Sequence, residues 1–142
     1  MGDGASENGD ERDVPDAGGM RWNEARFPGR VPIDSYGGGG FRFAQMSHRG
    51  SIFCVPGGIH AWHVGRADDI DAEALRLAVE DTVELLLVGT GVDLIPLPAS
   101  VTDELRAAGV RVEPMSTGAA ARTYNVLVSE GRSVGAALMA IA

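Results

Sequence analysis

From Val83 the chain alternates apolar runs with amphipathic stretches. Val83 to Val88 is continuously apolar apart from Glu84, Ala99 to Ala108 places Val101, Leu105 and Ala108 on one helical face, and Val110 to Met115 is again β-prone. A helix is predicted from Ser116-Thr117-Gly118 to about Glu130, with Ala120, Tyr124 and Leu127 inward, and a last strand from Ser133 to Ile141 carries apolar side chains on both faces. Gly109 and Gly131 stand where a left-handed residue closes a helix. The order is strand, helix, strand, helix, strand, and a strand apolar on both faces belongs inside a sheet.

The half before Val83 has a different rhythm. Ile33 to Tyr36, Phe41 to Phe43 and Gly50 to Val55 are short β-prone pieces, separated by Gly37 to Gly40 and by a connection over Gln45 to Arg49, and Ile59 to Val64 adds a fourth. Two hairpins are expected here. Asp71 caps a helix running to about Glu80, with Leu75 and Val79 on its buried side. The pattern therefore predicts a single three-layer α/β domain over residues 31–142, with a mixed central β-sheet, β-hairpins in its N-terminal half and a βαβαβ run in its C-terminal half.

Residues 1–30 are expected to be a flexible acidic tail and entry segment. The first nineteen carry six carboxylates against Arg12, so most of the net charge of −8 lies there, and Met20 is a second candidate start. The rest of the chain is near balance and offers no broad basic surface, which argues against nucleic acid. No apolar run reaches the roughly 18 residues of a membrane span. No secretory or transit pattern precedes the domain, so the cytoplasm is the expected location.

All twelve basic residues are Arg, which removes Schiff-base and P-loop lysine chemistry. Cys54 is single and set among Ile52, Phe53 and Val55, as a packed thiol would be. His60 and His63 are three apart, opposite faces of a strand, and no carboxylate cluster accompanies them, so neither a metal nor a cofactor is expected. No serine has the setting of a nucleophile elbow.

A ligand site, if the domain has one, falls at the carboxyl ends of the parallel strands. The residues there are Gly89, Thr90, Gly91 and Asp93 after one strand and Ser116, Thr117 and Gly118 at the next helix start, with Arg122 and Asn125 on that helix. A cation in the first turns of a helix opposes its macrodipole unless an acid or a bound anion compensates. The plainer account pairs Arg122 with Asp93 or a carbonyl, has Thr117 cap the helix and leaves the glycines to turn the chain. His48, between Ser47 and Arg49, is the one acid/base candidate, set against a loop-fixing hydrogen bond. Trp22, Phe27, Tyr36, Phe41 and Trp62 are either a partner surface or covered by the N-terminal segment.

The ordered set Ile33-Asp34-Ser35-Tyr36, Gly40-Phe41-Arg42-Phe43, Ser47-His48-Arg49-Gly50-Ser51, Leu87-Val88-Gly89-Thr90-Gly91, Leu97-Pro98 and Met115 to Asn125 resembles the family catalogued as domain of unknown function 498, over about residues 31–142. The resemblance implies a three-layer α/β fold. Its bacterial and archaeal members are mostly uncharacterised, and a mitochondrial member is an assembly factor for respiratory complex I that acts by protein contact; no catalytic residues carry over. The sequence thus reads as a non-enzymatic protein-interaction or assembly-type domain with a protein partner, as monomer or homodimer and without membrane insertion. The alternative is a small-ligand or anion-binding domain, an enzyme included, centred on Arg122.

Overall fold

Alternation along the central strands sends Phe53, Val55, Leu86, Val88 and Ala137 to one core and Ile52, Cys54, Leu87, Ala136 and Leu138 to another, so one sheet has a hydrophobic layer on each face. The computed structural model describes residues 27–142. Its strands are β1 (Phe27–Pro28), β2 (Ser35–Gly37), β3 (Gly40–Phe43), β4 (Met46–Arg49), β5 (Ser51–Val55), β6 (Gly58–Trp62), β7 (Leu85–Gly89), β8 (Arg111–Met115) and β9 (Val134–Leu138). The helices are α1 (Arg76–Glu80), α2 (Ala99–Ala107) and α3 (Thr117–Ser129), with 3-10 turns at Ala67–Asp69 and Glu73–Leu75.

The main sheet has six strands in the order β1, β6, β5, β9, β7, β8, and β2, β3 and β4 form a second, three-stranded sheet. β9 is the last strand in the chain yet lies centrally, antiparallel to β5 and parallel to β7. That placement makes the sheet mixed, and it explains why all five residues of β9 are buried. Leu75, Val101 and Leu105 cover one face; α3 and the small sheet, through Tyr124, Phe41 and Phe43, cover the other. The domain is thus a three-layer α/β fold with a mixed sheet.

Four local expectations are corrected. The stretch Gln45 to Arg49 is not a connection: Ala44 and Gln45, at φ +50° and +63°, make a two-residue turn, and Met46–Arg49 pairs antiparallel with β3. The helix after Asp71 is a 3-10 turn followed by only five α-helical residues, and this break turns Val79 outward while Leu75 and Ala78 stay buried. Asp71 nevertheless caps the segment, its Oδ1 accepting from the Ala74 amide at 2.8 Å. Ala108 is exposed rather than inward, because α2 ends at Ala107 and Gly109 turns the chain at φ +93°. Phe41 and Trp62 are core residues, and the Trp62 indole donates to the Ala74 carbonyl at 2.9 Å. Trp22 and the acidic tail lie outside the described residues.

Candidate functional site

Two parallel strands, β7 and β8, end side by side, and the chain leaving β8 enters α3 within two residues. Position 89 has to be glycine for this corner to close. A Cβ there would stand 2.8 Å from Thr117 Cα and 2.9 Å from Thr117 Oγ1. With the corner closed, Thr117, fully buried, donates its hydroxyl to the Met139 carbonyl at 2.8 Å and accepts from the Gly91 amide at 3.0 Å. The Thr117 amide donates to the Gly91 carbonyl at 2.8 Å. Ser116 is the helix N-cap, its Oγ accepting from the Ala119 amide at 3.3 Å.

Thr90 organises the next loop in the same way. Its hydroxyl lies 2.7 Å from the Asp93 carbonyl and 3.1 Å from the Met115 carbonyl, and accepts from the Ile95 amide at 2.8 Å. One buried side chain thereby fixes residues 90–95. On the outside of that fixed loop Val92, Leu94 and Ile95 are 72%, 55% and 43% exposed. A folded chain usually hides such side chains, and three on one loop make a patch.

The structure brings most of the nine strand-end residues to this corner and separates one. Gly118 lies under the Tyr36 side chain, and Arg122 Nη1 is 3.4 Å from where a Gly118 Cβ would be. Arg122 is exposed and makes no ion pair or hydrogen bond among the described residues, Asp93 included. Asn125 points elsewhere, pairing with the backbone of Ile33. The exposed aliphatic loop escaped the sequence reading, whereas Tyr36, 40% exposed, is among the aromatics which that reading set out as a partner surface. The run Val92-Asp93-Leu94-Ile95-Pro96 carried the signal, being apolar in a turn with no alternation to bury it.

Buried titratable groups lie on the α3 side of the sheet. His48 faces inward from β4, and desolvation lowers its imidazole to about 4 against a backbone hydrogen bond at Ser51 that acts the other way. It is neutral at physiological pH and has little access to solvent, poor terms for proton transfer. Burial pushes the Cys54 thiol far above its ordinary value, although the Tyr124 hydroxyl beside it opposes this. A thiol held protonated is a poor nucleophile. Among the described residues no group of three His, Cys, Asp or Glu side chains converges as a metal would need, and no helix is long and apolar enough to cross a membrane.

The family model described as "Protein of unknown function (DUF498/DUF598)" matches residues 33–139. The chain belongs to the DUF498/DUF598 family. Among DUF498/DUF598 relatives, an uncharacterised protein of Rhodobacter capsulatus is 48% identical over 120 residues, covering 84% of this chain and 93% of its own length. The NADH dehydrogenase [ubiquinone] 1 alpha subcomplex assembly factor 3 of Mus musculus is 36% identical over 118 residues, which are 82% of this chain and 64% of the mouse protein. The chain thus spans just under two thirds of that relative. A crystal structure described as an outer membrane protein from Bartonella henselae superimposes with a TM-score of 0.77 at 48% identity, covering 82% of this chain and 99% of that one.

Proposed function

We propose that this domain is an assembly-type factor of the cytoplasm, working by contact with other proteins and not by catalysis, in the maturation of a membrane-associated NADH dehydrogenase. The observation that carries the reading is the contrast within one loop. The hydroxyls of Thr90 and Thr117, which would have to serve a small ligand, are engaged by the chain's own carbonyls and amides, while Val92, Leu94 and Ile95 stand in water beside them. Polar groups spent internally and apolar groups offered outward suit a protein surface better than a catalytic pocket. The naming of the mouse relative as an assembly factor supplies the process. Of the strand-end residues, Thr90 and Thr117 hold the loop that presents the patch, and Asp93 and Arg122 are exposed and open to a partner.

The test is genetic and biochemical together. In a bacterium carrying this gene and a multisubunit NADH dehydrogenase, deletion should lower the amount of fully assembled enzyme on a native gel, and the full chain should restore it. The Leu94→Asp variant, folded as judged by circular dichroism, should restore much less. Unchanged assembled enzyme in the deletion strain would sink the proposal.

A further inference from the structure

Independently of the assembly reading, we propose that the acidic stretch of residues 10–16 docks on the outer face of the small sheet, where Arg42 and Arg49 receive its carboxylates. Pleating builds that face. In β3 Phe41 and Phe43 are buried and Arg42 between them is exposed; in β4 His48 is buried and its neighbours Ser47 and Arg49 are exposed. Arg42 stands opposite Ser35 of β2 and opposite Ser47, to whose hydroxyl its Nη1 donates at 2.6 Å. Arg49 is two residues on from Ser47, so the two arginines are diagonal neighbours, about 7–8 Å apart at the backbone. Gly37 and Gly40 share the row of Arg49 and add no side chain to it.

Arg66, Arg76, Arg106, Arg111 and Arg132 each have a carboxylate within 4 Å, whereas Arg42 and Arg49 have none among the described residues. Arg30 and Arg122 also have none, but they lie apart. Arg30 donates to the Arg132 carbonyl, and Arg122 sits with Tyr36 against Gly118, on the side of the small sheet that carries Phe41. The sequence supplies the counterpart: Asp10-Glu11-Arg12-Asp13-Val14-Pro15-Asp16 sets four carboxylates against one arginine. In an extended chain Glu11 and Asp13 point to one side, about 7 Å apart, while Arg12 points to the other. That spacing matches the diagonal of Arg42 and Arg49. The connection also reaches. Phe27 packs edge-on against Phe43, the residue after Arg42, with ring centroids 5.9 Å apart, and the roughly 14 residues from Asp13 to Phe27 span up to about 46 Å. Attachment beside the face holds the segment at an effective concentration of about millimolar, which suffices for ion pairs too weak to join separate molecules. A phosphate backbone or an anionic membrane recruits larger basic clusters than two arginines.

The experiment is paramagnetic relaxation in the isotope-labelled full chain carrying a nitroxide at Val14→Cys. Cys54 is buried with its thiol held protonated, so the label enters at position 14 alone. At low salt the amide signals of Arg42, Ser47 and Arg49 should lose about half or more of their intensity against the reduced label, as a mostly occupied tethered site does. Those of Val79 and Arg106, on helices across the main sheet, should keep theirs. The loss should vanish in about 1 M NaCl, where the Debye length falls to about 3 Å. It should vanish equally in Glu11→Gln/Asp13→Asn and in Arg42→Gln/Arg49→Gln, and persist in Arg122→Gln. The first pair alters no described residue, and unchanged thermal melts check the second. No selective loss at Arg42 and Arg49, a loss that survives either double substitution, or one that Arg122→Gln removes as well overturns the proposal. So does the same loss in an unlabelled chain mixed with a nitroxide-bearing copy, which would assign the contact to a second molecule. The native-gel test is separate, since a chain without this contact can still act in assembly.

Discussion

The Asn125 carboxamide pairs with both backbone groups of Ile33, accepting from its amide and donating to its carbonyl, each at 2.8 Å, across 92 residues of sequence. A side chain here does what a neighbouring strand would do, and it fastens the segment before β2 to α3. Replacing Asn125 with Asp removes the donor and sets a carboxylate near the Ile33 carbonyl. The expected loss is about 1–3 kcal/mol, read as a lower urea midpoint with an unchanged slope.

Thr117 serves as a hinge pin between the two strand-end loops and the residue after β9. Thr117→Val keeps the shape and removes the hydroxyl, leaving the Gly91 amide and Met139 carbonyl without it. A loss of about 2–4 kcal/mol is expected, with Thr117→Ser recovering most of it, and accelerated hydrogen exchange at Gly91 would locate the damage. Exchange at Gly91 equal to wild type would contradict this account.

Two glycines at the same corner should answer differently to alanine. At Gly89 the added methyl meets the Thr117 backbone, which cannot yield, and the change should cost at least about 2 kcal/mol by overpacking. At Gly118 it meets the Tyr36 hydroxyl, the far end of a side chain that can swing away, while α3 gains roughly 1 kcal/mol of helix propensity. Thermal melts of the two variants should therefore separate, Gly118→Ala lying at or above wild type.

His48 should make the fold sensitive to mild acid. Its pKa is about 4 in the folded chain against 6.5 in the unfolded one, so between those values the unfolded state binds more protons and stability falls as pH falls. From pH 7 to pH 5 the expected loss is about 2 kcal/mol. The His48→Gln variant should lack that slope, and urea titrations at several pH values compare the two. Parallel curves for both proteins would assign the acid sensitivity to other groups.

The C-terminal half was legible because each of its elements obeys a local rule. Leu86, Leu87 and Val88 have no polar neighbour to turn outward, Val101 and Leu105 lie one helical turn apart and are both buried, and Ser116 occupies an N-cap. The small sheet was only half legible. Ala44 and Gln45 adopt positive φ without any of the Asn, Asp or Gly that normally announces such a turn, so the tertiary contacts of Phe43 and Met46 hold a geometry that propensity disfavours. Val79 has the right spacing for burial, yet the α-helix starts only at Arg76, and that break rotates it outward.

For the site, the sequence determined which residues meet at the strand ends, since strand and helix boundaries follow from periodicity and glycine placement within a few residues of chain. It also determined the absence of lysine chemistry and the family. What each residue does there was decided by contacts between distant segments. Only the insertion of β9 between β5 and β7 brings the Met139 carbonyl to Thr117 and uses up its hydroxyl. Only the packing of the small sheet sets Tyr36 over Gly118, and only the fold leaves Arg122 without an acid beside it among the described residues. Solvent exposure is a property of what lies on the other side of a side chain, and Val92, Leu94 and Ile95 stay exposed because none of the described residues covers them.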